Sequence, residues 1–318
     1  MNESLNTPCF IGIDVAKAEV VIATHGDSAT RSIANTATPL KAWLKALPPG
    51  SRLGLESTGS YHELLAGLAH GAGSTVYLLN PKDVRHYAQS VGIRAKTDQV
   101  DARLLARFIA HEHETLHPWQ PPTPVQRQLD TLLKRRATLV RARGAIRQSM
   151  AHLSSLKTEI KFTFKAVNKL LDAIDRAIEQ TLTSQPDVQM QAACIRSIPG
   201  IGLLTGAALL NLFRRLPAVR ADVVVAFTGL DPRPCDSGQK RGKRRLSKRG
   251  PSELRCLLFN AAMSAAKTKL WRPYYERERA KGLPTTAALV VIARRLVRVA
   301  FALFKKQIHF NPDRIKIA

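Results

Sequence analysis

The chain has 318 residues, of which 45% are hydrophobic and 23% are charged, a composition that indicates globular domains and excludes a disordered protein. Its 49 Lys and Arg residues outnumber its 24 Asp and Glu residues, which leaves a net charge of +25. All of this excess lies beyond residue 115, because residues 1–115 carry 11 residues of each sign. Such an asymmetry favours a polyanionic partner, and nucleic acid above an anionic membrane surface.

Signals for export or membrane insertion are missing from the sequence. The N-terminus has neither a basic segment nor an apolar run of the signal-peptide type, and no uninterrupted apolar stretch reaches the length of a membrane span. The most apolar late stretch, residues 287–304, contains Arg294, Arg295 and Arg298 and is predicted to be a packed helix with an arginine face. The four cysteines are too dispersed for a zinc knuckle or a disulfide framework. The sequence therefore predicts a cytoplasmic protein without a membrane partner.

The first third of the chain alternates between strand and helix patterns. Short β-branched runs predict strands at 9–15, 19–25, 29–36, 52–56 and 74–80. Apolar residues at helical spacing predict helices at 39–47, 61–70, 81–89 and 98–110. Three strands followed by alternating helices and strands describe a mixed α/β sheet, which we assign to a domain of residues 1–117.

The middle of the chain, residues 118–188, is predicted to be a linker followed by long helices. Thr123 and Pro124 have the residue types of an N-cap and a first helical position. Apolar residues then recur from Leu129 to Leu153 and, in steps of four and three, from Ile160 to Ile178. The second series is a coiled-coil pattern, and the serines at 154 and 155 mark a bend between two arms. This apolar seam either pairs two protomers or folds back on itself.

The last domain is predicted to be mainly helical and to cover residues 189–318. Its Pro-Gly-Ile-Gly turn, with Gly200 and Gly202, resembles the hairpin of helix-hairpin-helix DNA binders, whose glycine amides approach phosphates. An ordinary turn between core helices is the alternative. An irregular, Gly-rich loop follows and leads into a helix that opens at Ser252. Seven basic residues in this loop are predicted to contact nucleic acid: Lys240, Arg241, Lys243, Arg244, Arg245, Lys248 and Arg249.

Four carboxylates form the candidate metal site. Asp98 and Asp101 are three residues apart at the start of a helix, so they share one helical face. Asp14 and Glu56 each lie at the end of a predicted strand, and in an RNase H-like fold the last helix crosses the tips of these strands. Four convergent carboxylates repel one another unless a cation offsets them, and they are the ligands that Mg²⁺ or Mn²⁺ prefers. A single acid of this set would be read as a solvated surface residue.

The same segments resemble a known family. The runs GIDVAKAEVVIAT, LESTGSYH and KTDQVDARLLARF, with the C-terminal IPGIGLLTGAALL and the stretch from SGQKRGKRR to SKRGPSELR, are similar to the DEDD transposases of the insertion-sequence one-hundred-and-ten group. The resemblance implies that Asp14, Glu56, Asp98 and Asp101 bind metal in a RuvC-like domain. It also implies a serine nucleophile in a C-terminal transposase domain, a structured bridge RNA that pairs with donor and target DNA, and a neighbouring protomer in a homo-oligomer, dimer or tetramer, that helps to complete the active site.

Ser237, in the run CDSGQ, is the best match for the nucleophile, because Gly238 beside it permits a close approach of the backbone to a phosphate. Ser247, inside the basic run, is the rival. Two other functions compete with the serine recombinase: a RuvC-like junction resolvase or nuclease, in which water attacks the DNA, and a non-catalytic basic nucleic-acid-binding protein. The low aromatic content, 6%, offers few side chains for stacking on bases, which agrees with sequence reading by RNA pairing.

Overall fold

The computed structural model describes residues 9–56, 59–94, 97–216, 219–233, 237–238, 242 and 244–314. The chain divides into two compact units, residues 1–121 and 122–318. The division into three domains, residues 1–117, 118–188 and 189–318, remains a prediction. None of the helices in the described ranges has the length and hydropathy needed to cross a membrane.

The first unit is built on one mixed sheet of five strands. The strands are β1 (Phe10–Val15), β2 (Glu19–Thr24), β3 (Thr30–Ala34), β4 (Arg52–Glu56) and β5 (Thr75–Leu79). Their order is β3-β2-β1-β4-β5, with antiparallel pairing from β3 to β1 and parallel pairing from β1 to β5. The mixed α/β expectation is therefore confirmed, and β1 and β4 occupy inner positions of the sheet.

Four helices cover this sheet: α1 (Ala37–Lys45), α2 (His62–Gly71), α3 (Pro81–Ser90) and α4 (Asp98–Glu112). Leu40, Trp43 and Leu65 pack with the buried strand residues Ile13 and Leu53 in one apolar cluster. Leu105 and Ile109 of α4 pack in another cluster with Tyr77 and Leu79 of β5. Trp119 also packs in the first unit, where its backbone N–H donates to the carbonyl oxygen of Val76 at 2.7 Å. The sheet unit therefore includes part of the Pro-rich segment that the sequence suggested as a linker.

The second unit begins with two 26-residue helices, α5 (Pro124–Ser149) and α6 (Lys157–Leu182), separated by a short 3₁₀ turn at Ser154–Leu156. Thr123 caps α5 as expected: its side chain accepts from the N–H of Gln126, whose side chain accepts from the N–H of Thr123 at 2.7 Å. Helices α5 and α6 contact each other, so the chain folds back at the predicted bend. We call these two helices the arm.

The remaining elements form a helical body with one small hairpin. They are α7 (Pro186–Arg196), α8 (Leu203–Arg215), α9 (Ala221–Thr228), β6 (Pro232–Arg233), β7 (Arg245–Leu246), α10 (Ser252–Ala265), α11 (Arg272–Ala280) and α12 (Thr285–Lys306). Phe213, Trp271 and Leu296 lie in the core of this body, which also contains Leu129 and Ile178 from the inner ends of the arm. The predicted start of α10 at Ser252 and the packed helix with Arg294, Arg295 and Arg298 are both found. The Gly-rich loop differs from expectation, because β6 and β7 pair at its base.

Candidate functional site

Asp14 and Glu56 lie at the carboxyl ends of two neighbouring parallel strands. The pairing of β1 with β4 matches Gly12 to Gly54 and Ile13 to Leu55. Side chains two residues apart on a strand point to the same face, so Asp14 shares a face with Gly12 and Glu56 shares it with Gly54. The two carboxylates therefore leave the same face of the sheet at the same edge.

The two glycines allow helix α4 to lie directly on this face. A Cβ atom on Gly12 would stand 2.1 Å from the carbonyl oxygen of Ala102 and 2.1 Å from the backbone nitrogen of Ala106. A Cβ atom on Gly54 would stand 2.7 Å from the side chain of Ile109. The missing side chains bring the backbone of α4 into contact with β1. The helix runs antiparallel to this strand, since at its far end the ring of His113 lies 4.9 Å from the ring of Phe10.

This packing brings the first turn of α4 to the carboxyl edge of the sheet. Asp98 and Asp101 both belong to that turn, and Ala102, against Gly12, follows them immediately. Thr97 caps the helix by accepting from the N–H of Val100 at 3.3 Å. Acidic residues in a first helical turn also interact favourably with the helix dipole. The local sequence therefore starts the helix where its two carboxylates meet those of the strands.

The pKa of Asp14 reflects the repulsion between the carboxylates in this arrangement. Burial, then Asp98, Asp101 and Glu56 in that order, raise the pKa of Asp14 from 3.8 to about 6, against one hydrogen bond from the backbone of Val15 that lowers it. A carboxyl group that is partly removed from water and faces three other carboxylates resists ionisation. The structure thus brings together the four acids that the sequence singled out.

The donor set suits a hard divalent cation, because all four side chains supply carboxylate oxygen atoms. Within the described ranges, no three His, Cys, Asp or Glu side chains are already spaced as a complete metal-ligand set. A cation among these carboxylates would relieve the repulsion that raises the pKa of Asp14.

Ser237 lies in the loop of the β6–β7 hairpin. Pro232 pairs with Leu246 and Arg233 with Arg245, so residues 234–244 connect the two strands. Ser237 is exposed, and Gly238 next to it adopts a positive φ of 53° with open space where a Cβ atom would stand. This region of the loop is accessible to a large substrate.

Ser247, by contrast, is hydrogen-bonded at the base of the hairpin. Its hydroxyl group donates to the carboxylate of Asp231, and its backbone N–H donates to the carbonyl oxygen of Asp231 at 3.0 Å. Sequence reasoning missed Asp231. The only available signal was an acidic residue just before a Pro-rich turn in a strongly basic segment.

Arg244, Arg245, Lys248 and Arg249 belong to the same hairpin and the segment that follows it, and Lys248 adopts a positive φ of 51°. Lys240, Arg241 and Lys243 lie outside the described residues. The four described basic residues therefore belong to the same hairpin as Ser237 or directly follow it.

Gly200 and Gly202 occupy the turn between α7 and α8. Gly200 has a φ of +101°, and a Cβ atom there would lie 2.6 Å from the side chain of Ala265, so close packing against α10 explains this glycine. Gly202 is exposed at the N-cap of α8 and has open space around it. The pair of helices is thus an ordinary packed pair by its contacts, and phosphate binding at the turn stays a prediction.

The class of protein follows from comparison with known families. Residues 11–157, which contain all four acids, match the family model of DEDD transposases of the IS110 group, and residues 192–276, which contain Ser237, match the transposase IS116/IS110/IS902 family. The chain is also 30% identical to the pilin gene-inverting proteins of Moraxella lacunata and Moraxella bovis, over 95% of this chain and 97% of each relative. It is 26% identical to the transposase for insertion sequence element IS1111A of Coxiella burnetii, over 74% of this chain and 73% of that one.

The chain belongs to the IS110 family of transposases, the proteins of insertion sequences that cut and recombine DNA.

Proposed function

We propose that this transposase is a metal-dependent serine recombinase that a bridge RNA guides to its DNA. The strand order β3-β2-β1-β4-β5, with helix α4 across the carboxyl ends of β1 and β4, supports an RNase H-like, RuvC-like sheet unit. The observation that carries the proposal is the convergence of four carboxylates on Asp14, which raises its pKa to about 6. Perturbed acids of this kind are frequent in catalytic sites.

Asp14, Glu56, Asp98 and Asp101 would hold Mg²⁺ or Mn²⁺. When bound, such ions offset negative charge on the attacking and leaving oxygens of a phosphodiester. The strands and helix α4 contribute by presenting the carboxylates from rigid elements, with Gly12 and Gly54 fixing the distance between helix and sheet.

Ser237 would supply the nucleophile. Its Oγ atom attacks the phosphorus and forms an ester bond to it, while the bond from phosphorus to one deoxyribose oxygen breaks. The serine hydroxyl proton passes to a base or to water, and the released deoxyribose hydroxyl gains a proton. Attack of a hydroxyl from the exchanged strand reverses the step, so the phosphodiester energy is conserved without ATP.

The accessibility of Ser237 supports this choice. The residue is exposed beside the positive-φ Gly238, whereas the hydroxyl of Ser247 is hydrogen-bonded to Asp231. The basic residues from Lys240 to Arg249, together with the amide groups of Gly200 and Gly202, would contact DNA phosphates around the nucleophile.

A second candidate nucleophile is Ser247, because the Asp231 carboxylate that accepts its hydrogen bond is also placed to accept its proton. In that case Asp231, rather than a group outside the hairpin, is the activating base. The two serines are close in sequence but differ in partners, so single substitutions distinguish them.

Bridge RNA and a homo-oligomer complete the proposal. The excess of positive charge beyond residue 115 is compatible with binding more than one nucleic acid, and the relatives named for gene inversion and for transposition are both named for DNA rearrangement. The acids and Ser237 belong to different compact units, and we propose that the carboxylate site of a partner protomer serves the serine.

The test uses a plasmid that carries the gene with its native flanking DNA. We expect denaturing gels to show a covalent protein–DNA adduct in the parent and in Ser247→Ala, and no adduct or recombinant in Ser237→Ala. An adduct that survives Ser237→Ala but disappears in Ser247→Ala would transfer the role to Ser247. DNA cleavage without a covalent adduct in the parent and in both variants would indicate attack by water, as in a RuvC-like nuclease.

A matched test addresses the acids. We expect Asp98→Ala and Asp101→Ala each to abolish the adduct while DNA binding is retained, because the carboxylates act in the chemistry. Unchanged recombination in both variants would favour the non-catalytic binding protein. Sequencing the RNA that co-purifies with the parent protein tests guidance, since a single defined RNA is expected and a random mixture of cellular RNA would contradict it.

A further inference from the structure

The outer half of the arm carries a concentrated positive charge. We define the outer arm as residues 142–171, the end of α5, the turn and the start of α6. It contains six Lys and Arg residues and a single acidic residue, Glu159. Its charge therefore cannot be balanced from within.

Four of these cations form one continuous row. Lys157, Lys161, Lys165 and Lys169 follow each other at intervals of four residues on α6, and all four are exposed. Positions four residues apart in a helix form a ridge with a step of about 6 Å along the axis, so the row spans about 18 Å. We call it the lysine ridge.

Two arginines of α5 lie beside the ridge, and neutral groups of α6 hold them there. Arg143 donates to the side-chain oxygen of Asn168 at 2.8 Å, and the guanidinium of Arg147 lies 5.5 Å from the ring centre of Phe164. Neither contact neutralises the charge. In the part of the chain that the structure describes, none of the six outer-arm cations forms an ion pair.

The inner half of the same arm is different. Arg136 pairs with Asp175 at 2.5 Å, Arg141 pairs with Glu253 at 3.0 Å, and Lys134 pairs with Asp130 at 2.7 Å. These three inner cations thus have carboxylate partners. The outer arm keeps its cations available for a ligand.

Like charges at intervals of four residues destabilise an isolated helix, so the ridge lowers stability and provides no contact in return. A row of phosphates compensates it, because lysines that displace condensed counterions bind the backbone without regard to sequence. We propose that the lysine ridge, flanked by Arg143 and Arg147, binds the phosphate backbone of duplex DNA.

Duplex DNA is the occupant that the observations favour. The family acts on DNA, and the ridge presents four point charges in a row, while of the two aromatics on this stretch of α6 Phe164 is covered by Arg147 and Phe162 is exposed. Lys161, Lys165 and Lys169 lie between the two family matches, at residues 11–157 and 192–276. The inference uses the family's action on DNA and does not depend on Ser237 or on a metal ion.

The experiment measures the salt dependence of binding. The full-length protein is titrated onto a fluorescent DNA duplex of arbitrary sequence at increasing KCl, without divalent ions, and the slope of log K against log salt is determined. Each phosphate contact contributes about 0.9 to this slope, so the variant with Lys157, Lys161, Lys165 and Lys169 all changed to Gln is expected to lose about 3. The corresponding Lys→Arg variant is expected to keep the parent slope.

The control changes Lys41, Lys45, Lys82 and Lys267 to Gln, which removes the same charge from exposed positions elsewhere. It is expected to retain most of the slope. An equal loss in this control, or a parent-like slope in the ridge variant, would overturn the proposal. A ridge variant that weakens binding of a duplex RNA of the same length but leaves DNA binding intact would also overturn it. None of these outcomes depends on DNA cleavage, so a failure of the recombinase mechanism is detected separately.

Discussion

Two regions of this molecule gather like charges, and they do so in different environments. At the edge of the sheet, four carboxylates converge in partly buried surroundings, and the pKa of Asp14 rises to about 6. On the outer arm, four lysines follow one another on an exposed helix surface. Water and salt screen the exposed lysines more strongly than the partly buried carboxylate of Asp14. The comparison teaches that the acidic site requires protonation or a cation to relieve it, whereas the lysine ridge tolerates its charge until a polyanion binds.

The largest effect on stability is expected from a substitution that disturbs the packing of α4 on the sheet. Gly12→Ala places a Cβ atom 2.1 Å from two backbone atoms of α4 and is expected to destabilise the sheet unit by about 3 kcal/mol. Gly144→Ala, on the exposed surface of α5 with open space around it, is expected to stabilise the arm by about 1 kcal/mol. Denaturant unfolding monitored by circular dichroism distinguishes the two. A neutral Gly12→Ala would mean that α4 does not rest on β1.

Asp14→Asn separates function from stability at the acidic site. Recombination is expected to fall by about 100-fold or more, because one charged group of the reaction centre is lost. The free energy of unfolding in EDTA at neutral pH is expected to rise, because the substitution removes a carboxylate that three others repel. Loss of both activity and stability would contradict this explanation, and parallel measurement of adduct formation and unfolding decides it.

The pH dependence of the same site has a definite sign. Between pH 3.8 and about 6 the folded protein holds a proton on Asp14 that the unfolded chain has released. Its contribution therefore makes stability fall as pH rises through this window. In EDTA, the parent is expected to show this loss and Asp14→Asn to lack it. Mg²⁺ added above the window is expected to stabilise the parent more than the variant, and an equal shift in both would contradict metal binding at Asp14.

A smaller effect on stability is expected when one arginine in each half of the arm is substituted. Arg136 makes two hydrogen bonds to the carboxylate of Asp175, at 2.5 and 3.0 Å, and both side chains are less than one-third exposed. Arg136→Met is expected to cost about 1.5 kcal/mol, whereas Arg143→Met is expected to change stability by less than about 0.5 kcal/mol. Thermal unfolding of the two variants tests the contrast. Equal losses would show that the outer cations also support the fold.

The smallest effect concerns the lysine ridge in the absence of ligand. Lys165 has like charges four residues away on both sides, so Lys165→Gln is expected to stabilise the free protein by about 0.5 kcal/mol at low salt. The gain is expected to disappear at high salt, where the repulsion is screened. Lys267→Gln is the control, because no charged residue lies three or four positions from it. A gain of equal size in that control would remove the ridge as the cause.

Much of the sheet unit was predictable from the sequence. β1, β2, β3, β4 and β5 each lie within the strand patterns, because alternating β-branched residues and adjacent turn residues leave little choice locally. The cap at Thr123 and the helix start at Ser252 follow from residue type in the same way. The short strands β6 and β7 were not anticipated, since two-residue strands in a Gly-rich basic segment have no periodicity to detect.

The candidate site also combines features that the sequence predicted with features that only the structure shows. Asp98 and Asp101 share a helical turn by spacing alone, and Asp14 and Glu56 were singled out as strand-end acids. The hydrogen bond between Ser247 and Asp231 joins residues 16 positions apart and has no sequence signature. The coiled-coil pattern of α6 left open whether the helix pairs with another protomer or folds back, and only the fold shows that α6 contacts α5 of the same chain.

By itself, the sequence determined the order of helices and strands, the separation of a neutral first part from a basic second part, and the residue types of the acidic site. These properties depend on local periodicity, capping and composition, which act over a few residues. The tertiary structure decided that α4 lies on Gly12 and Gly54 and that four carboxylates consequently face one another. It also decided that, among the residues that the structure describes, the six outer-arm cations form no ion pair whereas Lys134, Arg136 and Arg141 of the inner arm do. Those facts depend on distances between residues far apart in the chain, which no local pattern encodes.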